Sequence, residues 1–177
     1  MDILAHGLWA WAGGEVLRRR GHLTKRSLAA GVALTLAPDL IQMLPVLAGV
    51  LIGQISLGEF LAYATANPDQ EPIKAVWASV SANHLHCVMH SVIIAGVVSL
   101  VAWWRWPVML YPLLGWWLHI AIDVPTHSSD YYAVPILYPI SFWGFNGIAW
   151  TSPWFIGMNY LALMAAGIWL IRTRSRR

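Results

Sequence analysis

The stretch His119-Ile-Ala-Ile-Asp123-Val-Pro-Thr-His127 sets an imidazole and a carboxylate four residues apart in an apolar run, with a further imidazole four residues on. On a helix, side chains at i and i+4 leave the same face, so His119 and Asp123 can converge on one metal ion or pass one proton. His86 and His90 repeat the spacing within Asn83-His84-Leu85-His86-Cys87-Val88-Met89-His90-Ser91, while His84 lies off their face. Asp39 follows Pro38 in a third apolar run, and His6 stands near the start of a fourth.

Ionisable groups in such surroundings cost between ~3 and more than ~10 kcal/mol unless they meet a partner, a cavity or an ion. A single membrane histidine is more often an interhelical hydrogen-bond partner than a ligand. Four helices offering His and Asp at similar depth are instead what a metal site inside a bundle requires. The expected group is His90, His119, Asp123 and Asp39, joined by His6.

The elements that must position these residues follow from composition. Of the 177 residues, 58% are hydrophobic and only 11% charged, with twelve Trp and a mean hydropathy of +0.58. Soluble domains carry about 25% charged residues, so the chain reads as a single integral membrane domain over 1–177, all-α and polytopic. Apolar runs at about 3–17, 28–52, 84–103, 107–124 and 153–171 predict a bundle of five hydrophobic helices. The first run covers only about 22 Å of a core ~30 Å thick.

Ten of the eleven basic residues fall on one side of this five-span arrangement, namely Arg18, Arg19, Arg20, Lys25, Arg26, Arg105, Arg172, Arg174, Arg176 and Arg177. Lys74 is the exception. The positive-inside rule then places the C-terminus in the cytoplasm and the N-terminus outside. The net charge of +3 and pI near 9.3 therefore concern membrane orientation and point to no nucleic acid.

Loops at about 53–82 and 125–152 lie on the outer side and can shape a pocket there. Pro68-Asp69-Gln70-Glu71-Pro72 reads as a turn, Leu57 to Ala66 as a short interfacial helix, and the third helix is expected to start near Ile73 to Trp77. Trp103, Trp104, Trp106 and Trp169 mark an inner aromatic belt, and Trp9, Trp143, Trp150 and Trp154 an outer one.

Other residues have plainer roles. Glu15 precedes Arg18 and Arg19 by three and four positions and reads as a helix-end ion pair. Asp130, Asp69, Glu71 and Glu59 read as solvated loop residues, and Gly13-Gly14 as a close helix contact. Cys87, the one cysteine, excludes an intrachain disulfide and a cysteine-rich zinc site. The N-terminus, Met-Asp-Ile-Leu, lacks the basic segment of a removable signal peptide. Pro38 and Pro45 should disturb the second helix and leave carbonyls free near Asp39. Pro125 should end the fourth so that Thr126 and His127 turn back to its mouth.

The chain resembles a family of bacterial inner-membrane proteins described as YdjM-like metal-dependent hydrolases. The resemblance rests on His6-Gly-Leu-Trp, Pro38-Asp39, His90-Ser91, His119-x-x-x-Asp123 with Pro-Thr-His127, Pro135-Ile-Leu-Tyr-Pro139 and Asn146-Gly147-Ile-Ala-Trp150. Ile41 stands where the family often has a second Asp, and no Arg-Gly precedes His90-Ser91.

The resemblance implies a multi-pass protein of the bacterial inner membrane with a zinc-type hydrolytic centre. His90, His119 and Asp123, with Asp39 or His6, would hold one or two divalent ions, and a lowered water pKa would allow attack on an ester or phosphoester. His86 or His127 would move protons. His and carboxylate ligands suit zinc, and also manganese or iron. An outer-leaflet site suits membrane lipids or another amphiphile as substrate. The alternatives are a proton or ion pathway through the same residues, bis-histidine haem between His90 and His119, and a structural protein without catalysis.

Overall fold

The computed structural model of the protein describes residues 1–65, 75–130 and 133–174. It is all-helical, with 75% helix and no strand among the described residues. Seven α-helices follow in order: α1 (Ile3–Arg19), α2 (Lys25–Leu51), α3 (Leu57–Thr65), α4 (Val76–Met89), α5 (Val92–Arg105), α6 (Leu110–Thr126) and α7 (Pro153–Arg174), with a 3₁₀ turn at Pro107–Met109 before α6.

Three helical segments are long and apolar enough to cross a membrane, at Lys25–Leu51, Pro107–Thr126 and Pro153–Thr173. The α4 and α5 pair makes a fourth if it counts as one span bent by 60°. The expected single helix over 84–103 is thus corrected to two. The break has two causes: the Ser91 hydroxyl accepts the N–H groups of Ile93 and Ile94, capping α5, and the Val92 N–H leaves the ladder for the distant Ile136 carbonyl. A serine cap of this kind satisfies donors at a new helix start. The first run does form a helix, but its 17 residues fall short of the usual 20 for a crossing.

Helix α2 is the central element, packed against α1, α4 and α6. Its closest approach is to α6, where a Cβ on Gly115 would stand 2.0 Å from the Gly31 carbonyl oxygen. The Thr35 hydroxyl spans this contact, 2.9 Å from the Gly31 oxygen and 3.0 Å from that of Gly115. Small residues let the two backbones meet, which is how membrane helices associate without a hydrophobic drive between them.

Glu15 forms the expected ion pair with Arg18 and Arg19 at 2.6 and 2.9 Å, and Arg19 continues to the Leu170 carbonyl and the Thr173 hydroxyl. The C-terminal ends of α1 and α7 are thereby tied together. Gly14 faces Leu28 of α2 closely, whereas a Cβ on Gly13 would meet nothing within 4 Å.

Glu59 departs from the loop expected of it: it opens α3, accepting the Ser56 N–H while its own N–H donates to the Ser56 hydroxyl. This reciprocal pair is a capping box. The expected turn at 68–72 lies outside the described residues.

Candidate metal centre

Four elements bring the polar residues together. Helix α2 supplies Asp39, the junction of α4 and α5 supplies His90, and α6 supplies His119 and Asp123; all four are buried. One ligand atom from each lies within 4.8 Å of the others. The two Nε2 atoms of His90 and His119 are 3.0 Å apart, and each is 3.2 Å from Asp123 Oδ2. Asp39 Oδ1 stands 3.7 Å from His119 Nε2 and 3.9 Å from His90 Nε2.

The protonation pattern follows from the outer partners. His119 Nδ1–H donates to the Thr35 carbonyl at 2.7 Å, and His90 Nδ1–H donates to the His86 carbonyl at 2.9 Å. A carbonyl only accepts, so each ring carries a proton on Nδ1, and in the neutral form of each ring the Nε2 lone pair turns inward. Metal-ligating histidines are held in this way, the other ring N–H going to a backbone carbonyl. The Thr35 carbonyl lies four residues before Asp39, in the helix that also contains Pro38.

Two lone pairs and two carboxylate oxygens therefore face one another. Acceptors at 3.0 to 3.2 Å repel unless a proton or a metal ion lies between them, and burial amplifies the cost. Tetrahedral ligands at ~2.0–2.2 Å from an ion stand about 3.4 Å from each other, and the observed distances bracket that value. Asp39 Oδ2 is buried without a hydrogen-bond partner among the described residues, a further acceptor that a cation would satisfy.

His6 is buried beside this group rather than in it. Its Nε2 is 2.8 Å from Asp123 Oδ1, the oxygen turned away from the two lone pairs, and its ring stacks on His119 at 4.0 Å. Since a carboxylate oxygen only accepts, His6 Nε2–H donates, and its Nδ1 is buried without a hydrogen bond among the described residues. The Met1 α-amino group donates to the same Asp123 oxygen. His6 thus orients Asp123 through Nε2 and stands outside the group of four.

His86 and His127 line a cavity of about 300 Å³ that also exposes Asp39 and His90. The His86 ring lies 4.1 Å from that of His90, and its Nδ1 is 2.7 Å from the Gln42 side-chain oxygen. His127 follows the end of α6, where its Nδ1–H donates to the Asp123 carbonyl at 3.0 Å. His84 stays outside, 2.9 Å from the Tyr138 hydroxyl on an exposed face.

The segment 133–152 closes this end of the bundle. N–H groups of Gly147, Ile148 and Trp150 donate to the carbonyls of His127, Pro125 and Thr126, satisfying acceptors left at the end of α6. A Cβ on Gly147 would stand 2.3 Å from the Pro125 carbonyl oxygen, so glycine is what lets the strap approach. The Ser91 hydroxyl donates to the Tyr138 carbonyl.

Thr35 and Gln42 are thus site residues that motif reading passes over, whereas Ser91 and Gly147 fall within the motifs His90-Ser91 and Asn146-Gly147. Gln42 had a legible signal, standing three residues after Asp39 and so on its face. Thr35 acts through its backbone carbonyl, which no residue type announces.

No family model, curated protein or solved structure matches the chain.

Proposed function

We propose that the protein is a membrane-embedded, metal-dependent hydrolase acting on an ester or phosphoester of a lipid or other amphiphile, as the YdjM-like resemblance implies. The observation that carries this reading is the convergence of two imidazole nitrogens and two carboxylate oxygens within 4.8 Å at the wall of a polar cavity. His90, His119, Asp123 and Asp39 would hold the ion; two imidazoles and two carboxylates suit zinc, with manganese or iron as alternatives. When bound, a divalent ion polarises the scissile group and lowers the pKa of water toward ~7.

The chain's own residues supply the rest. Asp123 is oriented by His6, and the Thr35 and His86 carbonyls fix the tautomers of His119 and His90. His127 and His86 stand on the cavity wall, beside the ligands, as the groups that take the proton from attacking water and return it to the leaving oxygen. That transfer would leave an alcohol and an acid from an ester, or an alcohol and a phosphate from a phosphoester.

Five passes with the N-terminus outside would put this cavity at the outer leaflet of the bacterial inner membrane. Support comes from Arg18, Arg19 and Arg172, which cluster where α1 and α7 end together, away from the His/Asp group.

A second reading has an observation of its own. His6, His119, His90 and His86 form a continuous series of rings, with centroids 4.0, 4.9 and 4.1 Å apart, a geometry suited to relaying protons without a resident metal. Haem is disfavoured, because Asp123 Oδ2 lies 3.2 Å from both His90 and His119 Nε2 and leaves no plane for a macrocycle between the rings.

Elemental analysis of protein purified in detergent without chelator, beside His90→Ala and Asp123→Asn, decides between the readings. Near-stoichiometric metal in the wild type and its loss in both variants is the expected result. Wild-type protein with less than about a tenth of an ion per chain would reject the metal site, since structural and catalytic sites of this ligand type bind tightly.

A further inference from the structure

A cavity larger than the polar one lies beside it. It is an apolar groove of about 650 Å³ between α1, α6 and α7, with Gly13, Ala121, Ile122 and Ala166 in its walls. Small side chains open it, and the Trp9 indole N–H bonded to the Asn159 side-chain oxygen at 2.9 Å is a polar contact along its length. At one end it is lined by Met1 and Thr126. Met1 also lines the polar cavity, as does His127, the next residue after Thr126. The two spaces therefore adjoin beside Asp123.

We propose that this groove seats a single acyl chain of the substrate, with the bond to be cleaved at the Met1 and Thr126 end beside the His/Asp group. The assignment rests on the hydrolase reading and adds the substrate class, an acyl lipid. Dimensions choose the occupant. On α7 the lining runs from Phe155 to Leu170, about 22 Å at 1.5 Å per residue, against ~15 Å for one leaflet's share of the hydrocarbon core. Spread over that length, 650 Å³ leaves a cross-section of about 30 Å², whereas a helix ~10–12 Å across needs about 80–110 Å². A hydrocarbon chain fits and a partner helix does not. The apolar walls give the chain's headgroup no binding site of its own, so polar recognition falls to the neighbouring cavity.

The test uses the full chain in phosphatidylcholine vesicles doped with a phosphatidylcholine carrying a diazirine in its acyl chain. Adducts are mapped by mass spectrometry after illumination. Gly13→Leu and Ala121→Phe fill the groove; Gly13 has open space around its Cβ position and Ala121 is exposed, so neither overpacks a core. Gly157→Leu, exposed and outside the groove lining, is the control. Adducts should concentrate on the facing surfaces of α1, α6 and α7 and fall about tenfold in the filled variants, as loss of a few buried methylene contacts dictates, with no fall in Gly157→Leu.

Adducts spread evenly over all lipid-facing positions, Trp103 and Trp104 included, and indifferent to filling would overturn the proposal. Cross-linked dimers joined through the groove would overturn it in favour of a second copy of the chain. Metal is measured on the same samples. Bound metal without groove adducts overturns the groove alone, and groove adducts without metal uphold the groove while overturning the hydrolytic reading.

Discussion

Two carboxylates are buried at opposite ends of α1, and their surroundings differ in kind. Glu15 meets only donors: Arg18 and Arg19 reach its two oxygens at 2.6 to 2.9 Å, and Arg19 passes on to α7. Asp123 has donors on one oxygen, from His6 and the Met1 amine, while its other oxygen faces the lone pairs of His90 and His119. A carboxylate closed by guanidinium groups is complete as a structural clamp. One whose second oxygen faces further acceptors is complete only with a proton or a metal ion between them. Burial and charge alone do not separate a structural acid from a functional one; the sign of what surrounds each oxygen does.

The comparison breaks most visibly under chelation. If Asp123 belongs to a metal centre, removing metal should lower the melting temperature of the wild type, with a loss of about 4 kcal/mol for an ion present at ~1,000 times its Kd. Asp123→Asn should melt at the same temperature with and without chelator. Equal responses of the two proteins in a detergent thermal melt would end the distinction between the two carboxylates.

His6→Phe tests the outer oxygen. The ring stack on His119 can persist while the donor to Asp123 Oδ1 is lost, and disturbing such an outer partner costs about 10–100-fold in metal affinity. Competition with a chelator of known affinity measures it; unchanged affinity would show that His6 only fills space.

The smallest effect is at Glu15. Arg18 and Arg19 hold its carboxyl down to about 2 from an ordinary 4.5, so its contribution is fully present above pH 4.5 and fades as pH falls toward 2. Glu15→Gln should cost about 1 kcal/mol at neutral pH and leave the metal content unchanged. The gap in melting temperature between variant and wild type should close on acidification, and a gap that widened instead would contradict the ion-pair assignment.

What could be read in advance depended on the range of the interaction involved. The apolar runs, the Glu15 pair, the end of α6 after Pro125 and the i,i+4 pairing of His119 with Asp123 are local, and each is visible within a few residues. The break in the third run was less legible: His90-Ser91 looks like the middle of a hydrophobic helix until the Ile136 carbonyl, 44 positions after Val92, draws off its N–H. That break places His90 at a helix end, opposite His119.

Composition and spacing by themselves determined that this is an apolar helical protein carrying His and Asp on several membrane-length segments, because hydrophobicity and helical period are properties of the chain read in order. The same reading put His90, His119, Asp123 and Asp39 in one group with His6 joined to it, and the tertiary structure fixed how these residues meet. It drew in Asp39, His90, His119 and Asp123, set His6 behind Asp123 and placed His86 and His127 on the cavity wall. The physical reason is that a lone pair's direction is fixed by the partner of the opposite ring nitrogen, and for His119 that partner is the carbonyl of Thr35, 84 residues away in the chain.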